Sequence, residues 1–334
     1  MKLLNFSKSL EKSINVNIMS GNYSNFIEGY SKKYKSLIIS DIKIRKLNKS
    51  FDEKNFKYLK SGYDAKYLDK YLDLCNLIKK ENFYNLIAVG GSSILELTGY
   101  TYNSLDFNKK RLTFIPSTLF SSIVLPLQGE FSLDMNYEIS YLRISGYPDD
   151  ILIDTELFKT MDIQKFSKSF YAGYILGIMY DKNFSVLSKK YMKKNTNLDL
   201  EEYIYTTVLY IFETYKNKKN FPGMNILKHI INYSSLQKYE FVEIIASISL
   251  LLAFISRDYG YVSNEFVVKL KDTIEEFNLY KKNLILEFKE NLFYNQIKEV
   301  LFLENGHKEE LINNEIISKS IKTMKSFVRG EFFE

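Results

Sequence analysis

The chain has 334 residues, of which 46% are hydrophobic and only 4 are proline, so it is long and apolar enough for two globular domains. Its net charge of +6 comes from 46 basic and 40 acidic side chains in mixed order, which argues against a nucleic-acid-binding face. The single Cys75 excludes a disulfide within one chain, and we expect neither a signal peptide nor a membrane span. Together these features predict a cytoplasmic protein.

The first part of the chain alternates between strand and helix patterns. Residues 34–41 form a short apolar, β-branched run, which is typical of a strand in a parallel sheet. Residues 65–80 carry apolar side chains at helical spacing, and residues 86–89 form the next short apolar run. This alternation predicts a parallel, Rossmann-like α/β domain over residues 1–155.

A glycine pair follows the strand at residues 86–89. Gly90 and Gly91 allow the backbone to turn sharply and to approach a pyrophosphate, and the amides at the start of the next helix attract anions. A tight strand-to-helix turn also needs glycine for packing alone, so both interpretations stay open. Because ligands of parallel sheets bind at the carboxyl ends of the strands, we expect Asp41, Gly90 and Ser117 to line one cleft.

The pattern changes after Asp154, and residues 156–334 are predicted to form an all-helical domain. Apolar residues three and four apart predict helices at 170–180, 200–216, 241–257, 263–280 and 314–327. The run from Phe241 to Ile255 is the most hydrophobic, which indicates a helix buried in the middle of this domain. Residues 189–197 are predicted to be a loop, and a short extended piece is predicted near 300–303.

Three blocks of residues follow the order and spacing of one known enzyme family. They are Gly90-Gly91-Ser92 with Glu96 and Gly99-Tyr100, then Pro116-Ser117-Thr118-Leu119-Phe120, then Leu152-Ile153-Asp154 with Phe158-Lys159-Thr160-Met161. These blocks resemble 3-dehydroquinate synthase, the NAD-dependent and metal-dependent lyase of the shikimate pathway. The resemblance extends from about residue 34 to residue 265 and implies a dehydroquinate synthase-like fold.

The resemblance also implies a site for NAD and, because enzymes of this fold commonly dimerise, a homodimer. The positions that match cofactor-binding residues of the family are Asp41, Lys66, Gly90, Gly91, Glu96, Ser117, Thr118 and Thr160. Among them Asp41 corresponds to the aspartate that holds the adenosine side of NAD, and Glu96 stands where the family has an aspartate. Persistence of these residues for the sake of the fold alone is the alternative interpretation.

The residues that carry the family's chemistry are missing. Its metal is held by one glutamate and two histidines, and the corresponding positions here are Ala172, Ser235 and Phe241. We therefore do not expect zinc or cobalt. Glu130 stands where the family has a substrate lysine, which predicts a reversed charge at that position.

Three hypotheses about function follow from this mixture of matches and losses. The favoured one is a dehydroquinate synthase-like pseudoenzyme that retains a site for NAD or a related nucleotide. The second is a divergent but active 3-dehydroquinate synthase, or a related sugar-phosphate cyclase, which acts on a small-molecule substrate through displaced ligands. The third is an interaction protein that uses the same fold as a scaffold.

Overall fold

The computed structural model describes residues 2–8, 12–33, 35–47, 55–106, 111–124, 127–193, 199–217, 220–290 and 296–331. The chain forms two compact units. The first contains residues 1–166 and 199–209, and the second contains residues 167–198 and 210–334. A boundary between domains at residue 155 stays a prediction.

The first unit is an α/β layer. Its strands are β1 (Lys2–Lys8), β2 (Lys12–Met19), β3 (Ser36–Asp41), β4 (Phe56–Leu59), β5 (Asn85–Gly90), β6 (Arg111–Pro116), β7 (Glu130–Met135), β8 (Glu138–Ser145) and β9 (Asp150–Asp154). Its helices are α1 (Tyr23–Lys33), α2 (Leu68–Glu81), α3 (Ser92–Ser104) and α4 (Leu119–Ile123), and α5 (Ile163–Ser169) begins in it.

Among the described residues, one sheet has seven strands in the order β1-β2-β9-β6-β5-β3-β4. All neighbours from β2 to β4 are parallel, and only β1 is antiparallel to its partner β2. The parallel α/β fold class predicted from the sequence is therefore confirmed. The antiparallel strand β1 and the separate β7–β8 hairpin were not predicted.

Alternation along the strands explains why this sheet is buried on both faces. Leu86 and Ala88 of β5 pack with α2 and α3 on one face, whereas Ile87 and Val89 pack with α1 on the other. Successive side chains of a strand point to opposite faces, so a run that is apolar throughout fits between two layers of helices. The glycine of the Gly99-Tyr100 pair has a packing role here, because a Cβ on Gly99 would lie 2.7 Å from the Phe131 ring of β7.

The second unit is helical, with one hairpin. Its helices are α6 (Tyr171–Tyr180), α7 (Lys182–Met192), α9 (Met224–Ile230), α10 (Tyr233–Lys238), α11 (Phe241–Asp258), α12 (Asn264–Glu276), α13 (Lys282–Leu286) and α14 (Asn314–Arg329). Helix α8 (Leu200–Lys216) begins in the first unit and ends in the second. The loop expected at 189–197 is wrong at its start, because α7 continues to Met192. Residues 194–197 of that prediction lie outside the described residues.

Helix α11 is the centre of the second unit, as its hydrophobic sequence predicted. Every residue from Val242 to Ser256 is buried, and the helix packs against α12, α14 and the following hairpin. A capping box formed by Glu240 and Glu243 fixes its start. No helix among the described residues is long and apolar enough to cross a bilayer.

The extended piece predicted near residues 300–303 is longer than expected. It is part of a hairpin of β10 (Gln296–Leu303) and β11 (Gly306–Asn313). The side chain of Glu299 in β10 is fully buried and reaches the start of α9, where its Oε2 accepts hydrogen bonds of 3.1 Å from the amides of Asn225 and Ile226. The hairpin therefore packs against α9 and α11 through β10.

Candidate functional site

Three of the predicted site residues lie side by side at the carboxyl edge of the sheet. Ser40 pairs with Val89 across β3 and β5, so Asp41 stands beside Gly90, and the amide of Ser117 donates a hydrogen bond of 2.8 Å to the Gly90 carbonyl. Neighbouring strands are about 4.8 Å apart, so Asp41, Gly90 and Ser117 fall within about 10 Å along one edge. Thr160 lies further along, after β9 on the far side of β6.

The two glycines of the turn differ in whether the surrounding structure has room for a side chain. A Cβ on Gly90 would lie 2.8 Å from Cβ of Ile94, so the fold requires glycine there. A Cβ on Gly91 would meet only the Thr118 side chain, at an ordinary 3.6 Å, and the Gly91 φ of −77° suits any residue. The protein's own packing therefore explains Gly90 but not Gly91.

Helix α3 begins at this turn without a side-chain cap. Gly91 is its N-cap residue and offers no side chain to the amides of the first turn. The Ser93 hydroxyl does not cap the helix either; it accepts a hydrogen bond of 3.2 Å from the amide of Gly62. The start of a 13-residue helix thus presents amides and the positive end of a dipole at the point where Gly91 leaves room.

Two polar side chains at the same edge have atoms without a partner among the described residues. The Asp41 carboxylate accepts from the Lys43 amide through Oδ1 (3.0 Å), and no group in the described part of the chain donates to Oδ2. Ser117 is only 5% exposed, and its hydroxyl bonds no group that the structure describes. Both residues therefore keep hydrogen-bonding capacity next to the glycine turn.

The hydroxyls of Thr118 and Thr160 are already used by the fold. Thr118 caps α4, because its Oγ1 accepts from the Ser121 amide at 3.3 Å and shares a short 2.6 Å bond with the Ser121 hydroxyl. Thr160 donates to the carbonyl of Leu157 at 2.7 Å. The roles of both threonines in cofactor binding stay predictions.

Lys66 and Glu96 are brought together in a buried cluster. The Lys66 ammonium lies 2.6 Å from Oε2 of Glu96, 3.2 Å from the Ser132 hydroxyl and 3.5 Å from Oδ1 of Asp134. Ser132 also donates to Glu96 at 2.7 Å. One ammonium thus holds two carboxylates inside the first unit.

The charges of this cluster decide its chemistry. Burial alone lowers the pKa of Lys66, but the nearby Glu96 and Asp134 carboxylates outweigh it and raise that pKa. Burial raises the pKa of Asp134 in spite of Lys66. Lys66 is therefore an ammonium and not a free base, which excludes a serine–lysine pair in which Lys66 would deprotonate Ser132.

Glu130, which stands where the resemblance implies a lysine, forms an ion pair. The Arg143 guanidinium donates to the Glu130 carboxylate through Nη1 at 2.7 Å and to the Ser140 carbonyl through Nε at 3.0 Å. Glu130 of β7 is paired with Ser145 of β8 and Ser132 with Arg143, so the Glu130–Arg143 ion pair is a diagonal contact across the hairpin. The effect of this reversed charge on a substrate stays a prediction.

Asp154, from the third resembling block, has a structural role. Its Oδ1 accepts from the amides of Gly21 and Glu156, and its Oδ2 accepts from those of Asn22 and Tyr23, all at 2.8–2.9 Å. These bonds satisfy the start of α1 and the turn after β9 at once. A fold requirement is sufficient to explain this aspartate.

The second unit contains the positions that correspond to the family's metal ligands. Ala172 is buried in α6 and has no donor atom, and Phe241 begins α11. The Ser235 hydroxyl donates to Oε2 of Glu287 at 2.6 Å. In the part of the chain that the structure describes, no three His, Cys, Asp or Glu side chains form a group that could hold a metal ion. These residues do not fit the metal site implied by the resemblance.

Ammonium groups surround the carboxylate at the start of α11. Oε1 of Glu243 lies 2.8 Å from the Lys168 ammonium and 3.1 Å from that of Lys281. Burial alone raises the pKa of Glu243, but hydrogen bonds from Lys168, the Glu240 amide and Lys281 outweigh this effect and lower it. The chain supplies its own cations at this place.

The sequence did not reveal the partners in these clusters. Ser132 and Asp134 lie more than 30 residues from Glu96, and Lys168 lies 75 residues from Glu243. No local pattern links residues so far apart in the chain. The charged residues in otherwise apolar runs, such as Glu243, were the one available signal that a buried partner exists.

No family model and no curated protein matches the chain in sequence. In structure it is similar to 2-epi-5-epi-valiolone synthase from Streptomyces hygroscopicus subsp. jinggangensis 5008, solved with NAD+ and Zn2+ bound, with a TM-score of 0.74 and 12% identity over 96% of this chain and 99% of that one. A 2-deoxy-scyllo-inosose synthase is similar with a TM-score of 0.71 and 11% identity, over 96% of this chain and 99% of that one. A probable glycerol dehydrogenase from Sinorhizobium meliloti 1021 is similar with a TM-score of 0.67 and 10% identity, over 94% of this chain and 97% of that one.

These likenesses confirm the fold predicted from the sequence. An α/β unit followed by a helical unit is the architecture that the chain shares with dehydroquinate synthase-like enzymes and iron-containing alcohol dehydrogenases. At identities of 10–12% the likeness concerns the fold alone.

Proposed function

We propose that the chain is a dehydroquinate synthase-like pseudoenzyme that binds NAD at the carboxyl edge of its sheet. The observation that carries the proposal is Gly91, a glycine that the fold does not need, at the uncapped start of α3. A backbone without a side chain at this point lets a phosphate reach the helix amides. NAD+ in one of the structural neighbours supports the same ligand.

The residues of the edge have distinct roles in this proposal. Oδ2 of Asp41 accepts a hydrogen bond from a ribose hydroxyl, and the α3 amides with the Ser117 hydroxyl donate to the phosphates. Lys66 and Glu96, through their mutual ion pair, hold α3 in place beside the site. NAD supplies hydride acceptance when bound in an active enzyme, and these residues bind and orient it.

The loss of metal-assisted chemistry rests on the donor set. Ala172 and Phe241 have no ligand atom, and the Ser235 hydroxyl is bonded to Glu287. A metal that polarises a substrate hydroxyl contributes several kcal/mol to the lowering of the barrier. The homodimer implied by the resemblance stays a prediction.

Calorimetric titration with NAD+ tests the cofactor site. Gly91→Ala adds a methyl group that the protein can accommodate but that blocks the approach of phosphate, so we expect binding at least about tenfold weaker. Gly29→Ala in α1 is the matched control, because a Cβ there meets nothing within 4 Å, and its affinity should equal that of the parent. A parent without measurable binding at millimolar NAD+ would remove nucleotide binding and leave the scaffold hypothesis.

A phosphate-release assay tests the pseudoenzyme assignment. The parent protein, supplied with zinc or cobalt, NAD+ and the seven-carbon sugar phosphate of the shikimate pathway, should release phosphate at the rate of a blank. Metal-dependent release would instead support the divergent synthase, with ligands displaced from the positions of Ala172, Ser235 and Phe241.

A further inference from the structure

The second unit contains a cavity of about 440 Å³ at the end of α6. Its walls come from the end of α6, the starts of α7 and α12, and the turn of the β10–β11 hairpin. All four segments belong to the second unit, so the cavity is formed within one compact body. Small-molecule sites in proteins range from about 300 to 1,000 Å³. The cavity is therefore large enough for a ligand with one ring and a short chain.

The inner walls of this cavity are apolar. Met179 and Leu270 line it and are buried. Two tyrosines contribute their rings and not their hydroxyls. The Tyr174 hydroxyl donates to a threonine of α12 at 3.4 Å, and the Tyr180 hydroxyl shares a 2.8 Å hydrogen bond with a threonine of α8. An aromatic ring is the group that such walls fit best.

Contacts behind the walls hold them in place. A Cβ on Gly177 would lie 2.2 Å from the amide nitrogen of Ser185, so the backbones of α6 and α7 are in direct contact beside the cavity. The ring of Tyr180 stacks on Tyr210, with centroids 5.3 Å apart, and meets the His307 ring edge-on at 4.8 Å. Walls that are already ordered reduce the entropic cost of binding.

The carboxylates at the rim are bonded within the chain. Asp181 caps the start of α7, and Oε1 of Glu304 accepts a hydrogen bond of 2.7 Å from the Ser263 amide at the start of α12. The dipoles of these two helices offset both negative charges. Glu265 forms an ion pair of 2.7 Å with Lys269, which balances the charge of that lysine.

Lys182 is the rim cation that no such contact balances. Its side chain is exposed at the first residue of α7, and its ammonium forms no ion pair or hydrogen bond with any residue that the structure describes. We propose that the cavity binds a small aromatic carboxylate, with its ring between Tyr174, Met179 and Leu270 and its carboxylate on Lys182. This second site lies in the second unit and does not rest on the proposed nucleotide site.

Calorimetric titration with four small molecules tests the ring and the charge separately. Hydrocinnamate has both, propionate lacks the ring, hydrocinnamyl alcohol lacks the charge, and phenethylamine reverses it. Hydrocinnamate should bind with a dissociation constant below about 1 mM, and each of the other three should bind at least about tenfold more weakly. A parent protein that does not bind hydrocinnamate at millimolar concentration, or that binds phenethylamine as tightly, overturns the proposal.

Lysine variants locate the carboxylate. Lys182→Met should weaken hydrocinnamate binding at least about fivefold and leave that of hydrocinnamyl alcohol unchanged. Lys190→Met is the matched control, because it removes an exposed lysine in the last turn of the same helix, outside the cavity. Lys269→Met should change the affinity by less than about twofold, since Glu265 balances that lysine. Full affinity in Lys182→Met would contradict the assignment of the cation.

A cavity-filling variant locates the ring. Ile178 is a half-buried residue of the cavity wall, and Ile178→Trp should abolish hydrocinnamate binding by occupying the space of the ring. Thermal unfolding of the variant controls for a change in folding. Full affinity in a folded Ile178→Trp protein would show that the ligand binds elsewhere and would overturn the proposal. If this variant does not fold, the exposed Lys182 still provides the test.

Discussion

The polar side chains at the carboxyl edge of the sheet and at the start of α11 differ in whether the chain itself provides their bonding partners. At the edge, Asp41 and Ser117 keep atoms without a partner among the described residues. At the start of α11, Glu243 is held by Lys168 and Lys281, both from its own unit. The first arrangement leaves capacity for a ligand, whereas the second is complete without one.

This difference shows why a matching residue is weak evidence for a retained role. Asp154 and Thr118 match the family as well as Asp41 does, yet backbone amides and a helix cap explain them. Gly90 is explained by packing on Ile94, while its neighbour Gly91 is not. What separates a binding residue from a structural one here is whether the chain itself uses the group.

The largest effect is expected from removing the ammonium at the centre of a buried cluster. Lys66→Met leaves Glu96 and the fully buried Asp134 without their cation, and breaking such a pair costs about 3–5 kcal/mol of the free energy of unfolding. Lys168→Met should cost less, because Lys281 remains 3.1 Å from Glu243. Urea unfolding of both variants measures the difference.

An exposed pair provides the control for that comparison. Lys70→Met removes a surface ion pair with Asp69 and should change the free energy of unfolding by less than about 1 kcal/mol. If Lys168→Met destabilises the protein as much as Lys66→Met does, the second lysine at Glu243 gives no protection and the two clusters are equivalent.

The next effect concerns the buried carboxylate of Glu299 and its dependence on pH. Burial raises the pKa of Glu299 from 4.5 to about 7, against hydrogen bonds from the amides of Val300, Ile226, Gly223 and Asn225. Between those two values the folded state binds more protons than the unfolded state, so this group's contribution to stability falls as pH rises. The decrease is on the order of 3 kcal/mol and is complete above the folded pKa.

Comparison with Glu299→Gln isolates this contribution. The difference in free energy of unfolding, parent minus variant, should become less favourable to the parent from pH 5 to pH 8 when both are unfolded in urea. A difference that is independent of pH would show that Glu299 is ionised throughout. The predicted pH range of the stability change, from 4.5 to about 7, would then be wrong.

The smallest effects distinguish the two glycines of the turn. Gly90→Ala forces a methyl group within 2.8 Å of Ile94 and should cost about 1–3 kcal/mol. Gly91→Ala should be neutral or slightly stabilising, by less than about 1 kcal/mol, since it restricts the unfolded chain without a clash. Equal destabilisation by both changes would mean that packing alone selects Gly91 and would remove the main support for the nucleotide site.

The sequence by itself determined the fold to a large extent. The short apolar runs within 34–41 and 86–89 indicated strands of a parallel sheet, and the apolar stretch from Phe241 indicated the central helix, because burial on all sides leaves a local signature. The β7–β8 hairpin and β1 were missed because strands with a solvated face or an edge position have mixed patterns.

Only the tertiary structure decided which site residues remain open. The sequence places Lys66, Glu96 and Asp134 in three separate segments, and nothing local shows that one ammonium holds both carboxylates. Likewise, Gly90 and Gly91 are indistinguishable in sequence, and only the position of Ile94 against one and of Thr118 against the other separates them. Hydrogen bonds and contacts between distant segments depend on the packed arrangement of the chain, and a linear pattern does not encode them residue by residue.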